Sequence, residues 1–181
     1  MIPMKGVIEI LNLTDNIVTL DFETTGFSAE RDEIIQVGVI KYRDGYEVAR
    51  FDRYVQPRQV IPYRITQLTG ITEQMVQDAP PLAHTLIELY NFLKNETIVA
   101  HNASFDLRFL RENFYRHGIP YDNYPVIDTV KLARQSNLGV PNFKLETLKN
   151  FLNIQTTSHS AINDCFVTGR LYYHCKEIID F

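Results

Sequence analysis

Two carboxylates, Asp21 and Glu23, stand two residues apart at the end of the apolar run Ile17-Val18-Thr19-Leu20. That run is rich in β-branched residues and reads as a short, mostly buried strand. On an extended backbone residues i and i+2 point to one face, so both acids project the same way. Like charges held together beside an apolar sheet repel, and they are costly to desolvate unless a cation lies between them. Hard divalent ions that prefer oxygen ligands, Mg²⁺ or Mn²⁺, meet that need.

Two later stretches offer further polar groups. His101-Asn102-Ala103-Ser104-Phe105-Asp106 follows the apolar tetrad Thr97-Ile98-Val99-Ala100 and opens a helix. An acid in a first helical turn is favoured by the helix dipole, so Asp106 either serves the helix start or joins the acid pair. His159-Ser160-Ala161-Ile162-Asn163-Asp164 precedes the last predicted helix. Within one helix a five-residue separation would set His159 and Asp164 about 140° apart. They converge only if His159 stays in the preceding loop and Asp164 lies in the first turns. Ser158 and Ser160 are suitable caps for a helix starting there. Alone, a loop histidine is an ordinary surface residue.

The elements that must position these groups alternate along the chain. Residues 34–42 read as a second strand, Arg43-Asp44-Gly45-Tyr46 as a hairpin turn, and residues 48–56 as a third strand ended by Pro57 and Pro62. Short helical turns cover residues 65–75. After Pro80-Pro81 a helix carries Leu82, Leu86, Leu89 and Leu93 on one stripe. Residues 97–100 form a fourth strand, and a helix over 103–117 turns Leu107, Leu110 and Phe114 inward. Pro125-Val126-Ile127 is a fifth strand, followed by helices over 128–135, 144–151 and 160–177. The order predicts an α/β fold: a five-stranded mixed sheet, three antiparallel strands then two parallel, flanked by helices. One domain over 17–181 is expected, after an extension over 1–16 that adds an edge strand or stays loose.

Composition narrows the setting. With 45% hydrophobic and 22% charged residues, the 181-residue chain reads as a globular protein. No apolar run is long enough to span a bilayer, and the first residues lack the basic start and cleavage site of a secretory signal. A cytoplasmic location and no membrane partner are expected. Cys165 and Cys175 fall on one predicted helix, separated by about 15 Å of rise where a disulfide tolerates roughly 7 Å. They read as reduced thiols, and no zinc spacing exists. A net charge of −4 argues against holding nucleic acid by a basic surface alone. It leaves room for an enzyme that meets a polyanion through bound metal ions.

In order, Asp21-Phe22-Glu23-Thr24-Thr25-Gly26, the His101-to-Asp106 stretch and the His159-to-Asp164 stretch resemble the three motifs of the histidine type of the DEDD exonucleases (DnaQ-like). The likeness covers about residues 17–174 and departs at none of Asp21, Glu23, Asp106, His159 and Asp164. It implies a ribonuclease H-like fold and 3′→5′ exonuclease activity on single-stranded DNA ends, in the manner of the proofreading ε-type subunits of bacterial replicative polymerases. A DNA polymerase subunit is then a candidate partner, although no polymerase-binding tail of the kind some ε subunits carry is read before Phe181. Chemistry supports the same assignment. Cleaving a phosphodiester needs an attacking hydroxide in line with a leaving 3′ oxygen, and two divalent ions, Mg²⁺ or Mn²⁺, can activate the one and steady the other. Asp21, Glu23, Asp106 and Asp164 are assigned as ligands, with Asp21 as the bridge, and His159 as the general base. An imidazole base must be neutral, so activity is expected to rise with pH through the neutral range.

Thr24, Thr25 and Gly26 read as a tight turn whose N–H groups and hydroxyls could hold a terminal 3′-OH. Phe105 either stacks on a terminal base or belongs to the core, and Phe27 shares that ambiguity. By resemblance, Thr69 and Ile71 flank the terminal nucleotide and His101 touches a phosphate. Asp128 is expected to cap the following helix. Arg108, Arg111, Lys131, Arg134, Lys144 and Lys149 either line a strand path or form a wetted face. Two other readings stand beside the leading one. One is a 3′→5′ exoribonuclease of the same family; the other is a non-catalytic, polymerase-associated nucleic-acid-binding module, which would be expected to have lost one of the five site residues.

Overall fold

The computed structural model describes residues 13–180; residues 1–12, most of the expected N-terminal extension, lie outside the described residues. Strands β1 (Ile17–Thr24), β2 (Ile34–Arg43) and β3 (Tyr46–Tyr54) form an antiparallel meander. β4 (Ile98–Ala100) and β5 (Val126–Asp128) add in parallel, giving the order β3-β2-β1-β4-β5. The helices are α1 (Tyr63–Thr69), α2 (Glu73–Val76), α3 (Leu82–Leu93), α4 (Ser104–Arg116), α5 (Thr129–Gln135), α6 (Leu145–Phe151) and α7 (Ala161–Ile179). Among the described residues no helix is long and apolar enough to cross a membrane. The β2–β3 turn holds Asp44 and Gly45 at φ 51° and 80°. Positive φ at both central residues is the hairpin geometry that an Asp-Gly pair accepts at least cost.

Period-two alternation sorts the sheet into two faces. Val18, Leu20 and Phe22 of β1 join Leu86, Leu89 and Leu93 of α3 and Phe109, Leu110 and Phe114 of α4 in one core. Ile17 joins Ile40, Tyr42, Val99 and Ile127 against Leu132 of α5, Leu148 of α6 and Leu171 and Cys175 of α7 in the other. Asp21 and Glu23, also odd-numbered, therefore share the α7 face. The strand runs on through both acids because β2 stays paired with it, Asp21 opposite Gly38 and Glu23 opposite Gln36.

Those two partners of β2 seat the start of α7. A Cβ added at Gly38 would lie 2.5 Å from the carbonyl carbon of Ala161, so only glycine lets the helix approach so closely. The Gln36 side chain accepts from the Ala161 N–H at 3.1 Å and donates to Asp52 of β3 at 2.9 Å. Buried Cys165 donates its thiol to the Gly38 carbonyl, and both cysteines are free.

Several expectations are refined. On α4 it is Phe109, with Leu110 and Phe114, that is fully buried; Leu107 is only partly so, because the helix turns Asp106 inward and shifts the stripe. Residues 13–16 are not a strand but are stapled to α7: Thr14 exchanges hydrogen bonds with the Tyr172 hydroxyl, and Tyr173 donates to the Asp15 carbonyl. Ser160 takes the N-cap position of α7 without a side-chain capping bond.

Candidate active site

β4 is only three residues long and pairs with β1 at Val18 and Thr19 alone, so on that side the end of β1 has no strand neighbour. The Phe22 N–H is satisfied instead by Asp106, whose Oδ1 accepts it at 3.0 Å. A buried backbone donor needs such a partner. α4 thus brings its acid across from the opposite layer to the carboxyl end of β1. From the other face, α7 brings Asp164 in its first turn. Carboxylate oxygens of Asp21, Glu23 and Asp164 lie within 4.8 Å of one another. Asp106 stands outside this closest triple but near enough that its charge acts on both Asp21 and Glu23.

His159 sits in the loop before α7, at φ 60°, and its N–H donates to Asp164 Oδ2 at 3.2 Å. That left-handed backbone lets a residue five positions upstream fold back onto the acid. Sequence reasoning missed what holds this loop. Lys149 of α6, placed above among surface cations, is only 7% exposed. Its Nζ donates to the Thr156 carbonyl at 3.1 Å and to the Ser158 hydroxyl at 2.5 Å, and pairs with Glu146 at 3.0 Å. Ser158 in turn donates to Glu146. The expected helix cap Ser158 is thereby used for loop anchoring.

The residues proposed for substrate contact divide. Thr24 donates to the Gly26 carbonyl at 2.6 Å, and the Thr25 hydroxyl accepts from the Glu33 N–H, so both side chains brace the turn after β1. A Cβ on Gly26 would collide with the Asp32 carboxylate at 2.4 Å. Phe27 is 71% exposed and meets Phe105 edge-on at 6.4 Å between centroids, with Phe105 continuing onto Phe109. Phe105 is therefore both half-buried and open along one edge.

Three of the residues proposed for substrate contact are engaged within the fold. Ile71, 2% exposed, packs in a small cluster with Ile35, Ile61, Ile65 and Val76, which leaves its side chain no surface to offer a nucleotide. Thr69 donates to the Ile65 carbonyl and accepts from the Ile71 N–H, closing α1. His101 has both ring nitrogens engaged at 2.9 Å, Nδ1 with Thr129 and Nε2 with the Phe143 carbonyl. Burial lowers its pKa. A carbonyl can only accept, so in the neutral form Nε2 carries the proton and Nδ1 accepts from Thr129. Asp128 caps α5 through the Val130 N–H as expected, and also accepts from the Asn102 and Ala103 N–H groups, holding the turn that launches α4. Lys131 and Arg134 line a groove of about 630 Å³ with Asn102, Ser104 and Leu107.

Electrostatics follows from crowding acids into a half-buried corner. Burial, then repulsion from Asp106, Glu23 and Asp164, pushes the Asp21 carboxyl far above its ordinary value. Burial and the charges of Asp164 and Asp106 push Glu23 up to about 8. Burial raises Asp106 to about 7 against the pull of the Phe22 N–H. It raises Asp164 to about 6 against the favourable neighbourhood of His159. A carboxyl whose folded pKa lies above its unfolded value binds protons more readily when folded, so stability falls as pH climbs between the two values. The metal-free protein is thus expected to lose melting temperature from about pH 5 to pH 8, and Mn²⁺ to restore more at pH 8 than at pH 5. Thermal melts in EDTA and in Mn²⁺ at each pH check this. The EDTA–Mn²⁺ difference cancels groups outside the cluster, such as His101, which act in the opposite sense. A difference independent of pH would contradict it.

The exonuclease family profile matches residues 18–172. Similar proteins include the PolC-type DNA polymerase III of Clostridium perfringens, 39% identical over 87% of this chain, and that of Oceanobacillus iheyensis, 40% identical over 88%. The chain spans about a ninth of the length of these relatives, 11% in each case. Among solved structures, exonuclease X in complex with 5′ overhanging duplex DNA is 26% identical, with a TM-score of 0.72 over 91% of this chain and 93% of that one. Escherichia coli exonuclease I bound to a dT13 oligonucleotide superposes with a TM-score of 0.81 at 19% identity over 92% of this chain and 43% of that one, which speaks for the fold. With a family match running from the first strand to the final helix and the ribonuclease H-like sheet described above, the chain belongs to the exonuclease family.

Proposed function

We propose that this chain is a divalent-metal-dependent 3′→5′ exonuclease that removes nucleotides from single-stranded DNA ends, releasing 5′-mononucleotides, in proofreading or repair. The observation that carries the reading is the meeting of Asp21, Glu23 and Asp164 within 4.8 Å, with Asp106 close behind and His159 folded onto Asp164. The donor set fits Mg²⁺ or Mn²⁺. It is all oxygen, with no thiolate, and it is electrostatically strained until a cation arrives. Two ions held by Asp21, Glu23, Asp106 and Asp164, with Asp21 shared, would supply charge neutralisation and water activation for phosphodiester hydrolysis.

The chain's own residues do the rest. His159 accepts the proton of the attacking water, and its loop position leaves the ring free to approach a bound strand. Phe27 and the open edge of Phe105 receive the terminal base, where stacking contributes roughly 1–3 kcal/mol. The rigid turn at Thr24, Thr25 and Gly26 offers backbone groups to the terminal 3′-OH. Lys131 and Arg134 meet the phosphates of the following nucleotides along the α4–α5 groove. DNA is preferred over RNA as substrate because the matched relatives are DNA polymerases and the matched exonuclease structures hold DNA. The same relatives favour work beside a replicative polymerase in the cytoplasm.

Digestion of a 5′-labelled single-stranded oligonucleotide, as DNA and as RNA, with Mg²⁺, Mn²⁺ or EDTA, tests the proposal. A ladder shortening from the 3′ end, faster on DNA and abolished by EDTA, is expected. Cleavage insensitive to chelation, or starting at the 5′ end, would overturn it; a ladder on RNA alone would favour the exoribonuclease reading.

A further inference from the structure

The catalytic loop is held by a buried cation that no sequence motif marks. His159 stands at φ 60°, in the left-handed region that few residues with a side chain occupy, though histidine is among those that enter it more readily. On its C-terminal side the hold is plain: α7 begins at Ala161, pinned to Gln36 and Gly38 of β2, and Asp164 accepts the His159 N–H. On its N-terminal side residues 152–158 form no helix or strand; backbone bonds to α6 reach only as far as Ile154, and beyond it the chain is held by side chains. Lys149 supplies most of these ties, beside the Asn163 amide, which donates to the Thr157 hydroxyl at 2.8 Å. Its ammonium spends its donors on the Thr156 carbonyl, the Ser158 hydroxyl and Glu146, three partners converging from the loop and from its own helix. A lysine 7% exposed is rarely tolerated without such a network, and this one has every donor used. A wetted lysine on α6 would contribute none of this.

We propose that Lys149 is a positioning residue for the reaction: with Ser158 and Glu146 it fixes loop 156–159 and, through it, the place of the His159 imidazole. The inference rests on the general-base reading of His159 given above. Lys149 spends its side-chain bonds on the loop and on Glu146; its charge also favours the ionised form of Asp164, so the part of its effect that passes through His159 is what the test must isolate. Loss of the anchor leaves the acid cluster, the sheet and the aromatic edge in place, and lets the base wander from the water it serves. Displacement of a catalytic group by about 1 Å can cost on the order of 100-fold in rate.

A double-mutant cycle distinguishes positioning from a merely structural role. Lys149→Met keeps the length of the stem and removes the donors; His159→Asn removes the base and keeps a residue that accepts positive φ. For Lys149→Met alone, kcat on single-stranded DNA is expected to fall on the order of 10–100-fold. KM and the Mn²⁺ dependence should stay within about threefold of the parent chain. On the His159→Asn background the same substitution should cost less than about threefold, because the base it positions is already gone. Ser158→Ala, which removes one tie without removing the charge, should show the same pattern at smaller amplitude, and serves if Lys149→Met melts at assay temperature. Losses that simply add, or a Lys149→Met protein with parental kcat, would overturn the inference while leaving the exonuclease reading intact. A His159→Asn protein with parental kcat would instead remove the general-base reading itself.

Discussion

Asp21→Asn is expected to remove exonuclease activity by about 10³-fold or more while raising the melting temperature of the metal-free protein at pH 8. The two effects have one cause. Asp21 carries the largest burden of the cluster: burial and three neighbouring carboxylates, Asp106, Glu23 and Asp164, all hold its proton on. Replacing the carboxylate with an amide of the same shape removes that repulsion from the free protein. The same change removes the ligand proposed to be shared between two cations. Metal assistance supplies several kcal/mol of transition-state stabilisation, and about 4 kcal/mol corresponds to the stated factor. Tm in EDTA and kcat/KM in Mn²⁺, measured on one preparation, check both signs. A variant that loses activity and stability together would mean that Asp21 serves the fold rather than a metal. A variant that keeps the parental rate would take Asp21 out of the site.

His159→Asn carries the second large expectation, a fall in kcat of roughly 10²–10⁴-fold, the usual worth of a positioned general base. Metal affinity and melting temperature should hardly move. The side chain is exposed, so no packing is lost, and asparagine is among the residues that accept the φ of 60° found there. Its backbone N–H can still donate to Asp164, which keeps the start of α7 in order. A pH–rate profile adds a second readout. An imidazole base works only in its neutral form, so a rise of rate with pH that the parent shows and the variant lacks marks His159 as the acceptor. Equal slopes in both proteins would assign the proton to another acceptor.

These two expectations differ from ordinary core substitutions in how fold and function are coupled. Gly38 and Gln36 are devices of assembly: they admit and pin α7, and damage there would move Asp164 and His159 together. Asp21 and His159 sit on that frame without supporting it. The acid cluster costs the free protein stability, as expected of a site shaped for a charged ligand rather than for packing.

Much of this arrangement is already written in the order of residues. Alternation along β1 places Asp21 and Glu23 on one face, the Asp-Gly turn sets the β2–β3 hairpin, and loop-then-helix spacing brings His159 to Asp164. All three rest on local backbone periodicity, which a short window of sequence contains. The three motifs carried the family for the same reason, since each is a local segment. Only tertiary structure decided how groups far apart in sequence are spent. Asp106 crosses from the opposite layer to Phe22 because β4 is too short to cover the end of β1. Gly38 is glycine because a helix more than a hundred residues later lies against it. Ile71 and His101 turn inward to partners that no spacing foretells, and Lys149 becomes a buried anchor instead of a surface cation. A side chain's type and its local turn fix where it starts, but which donors and acceptors remain free is settled only when the layers close on one another.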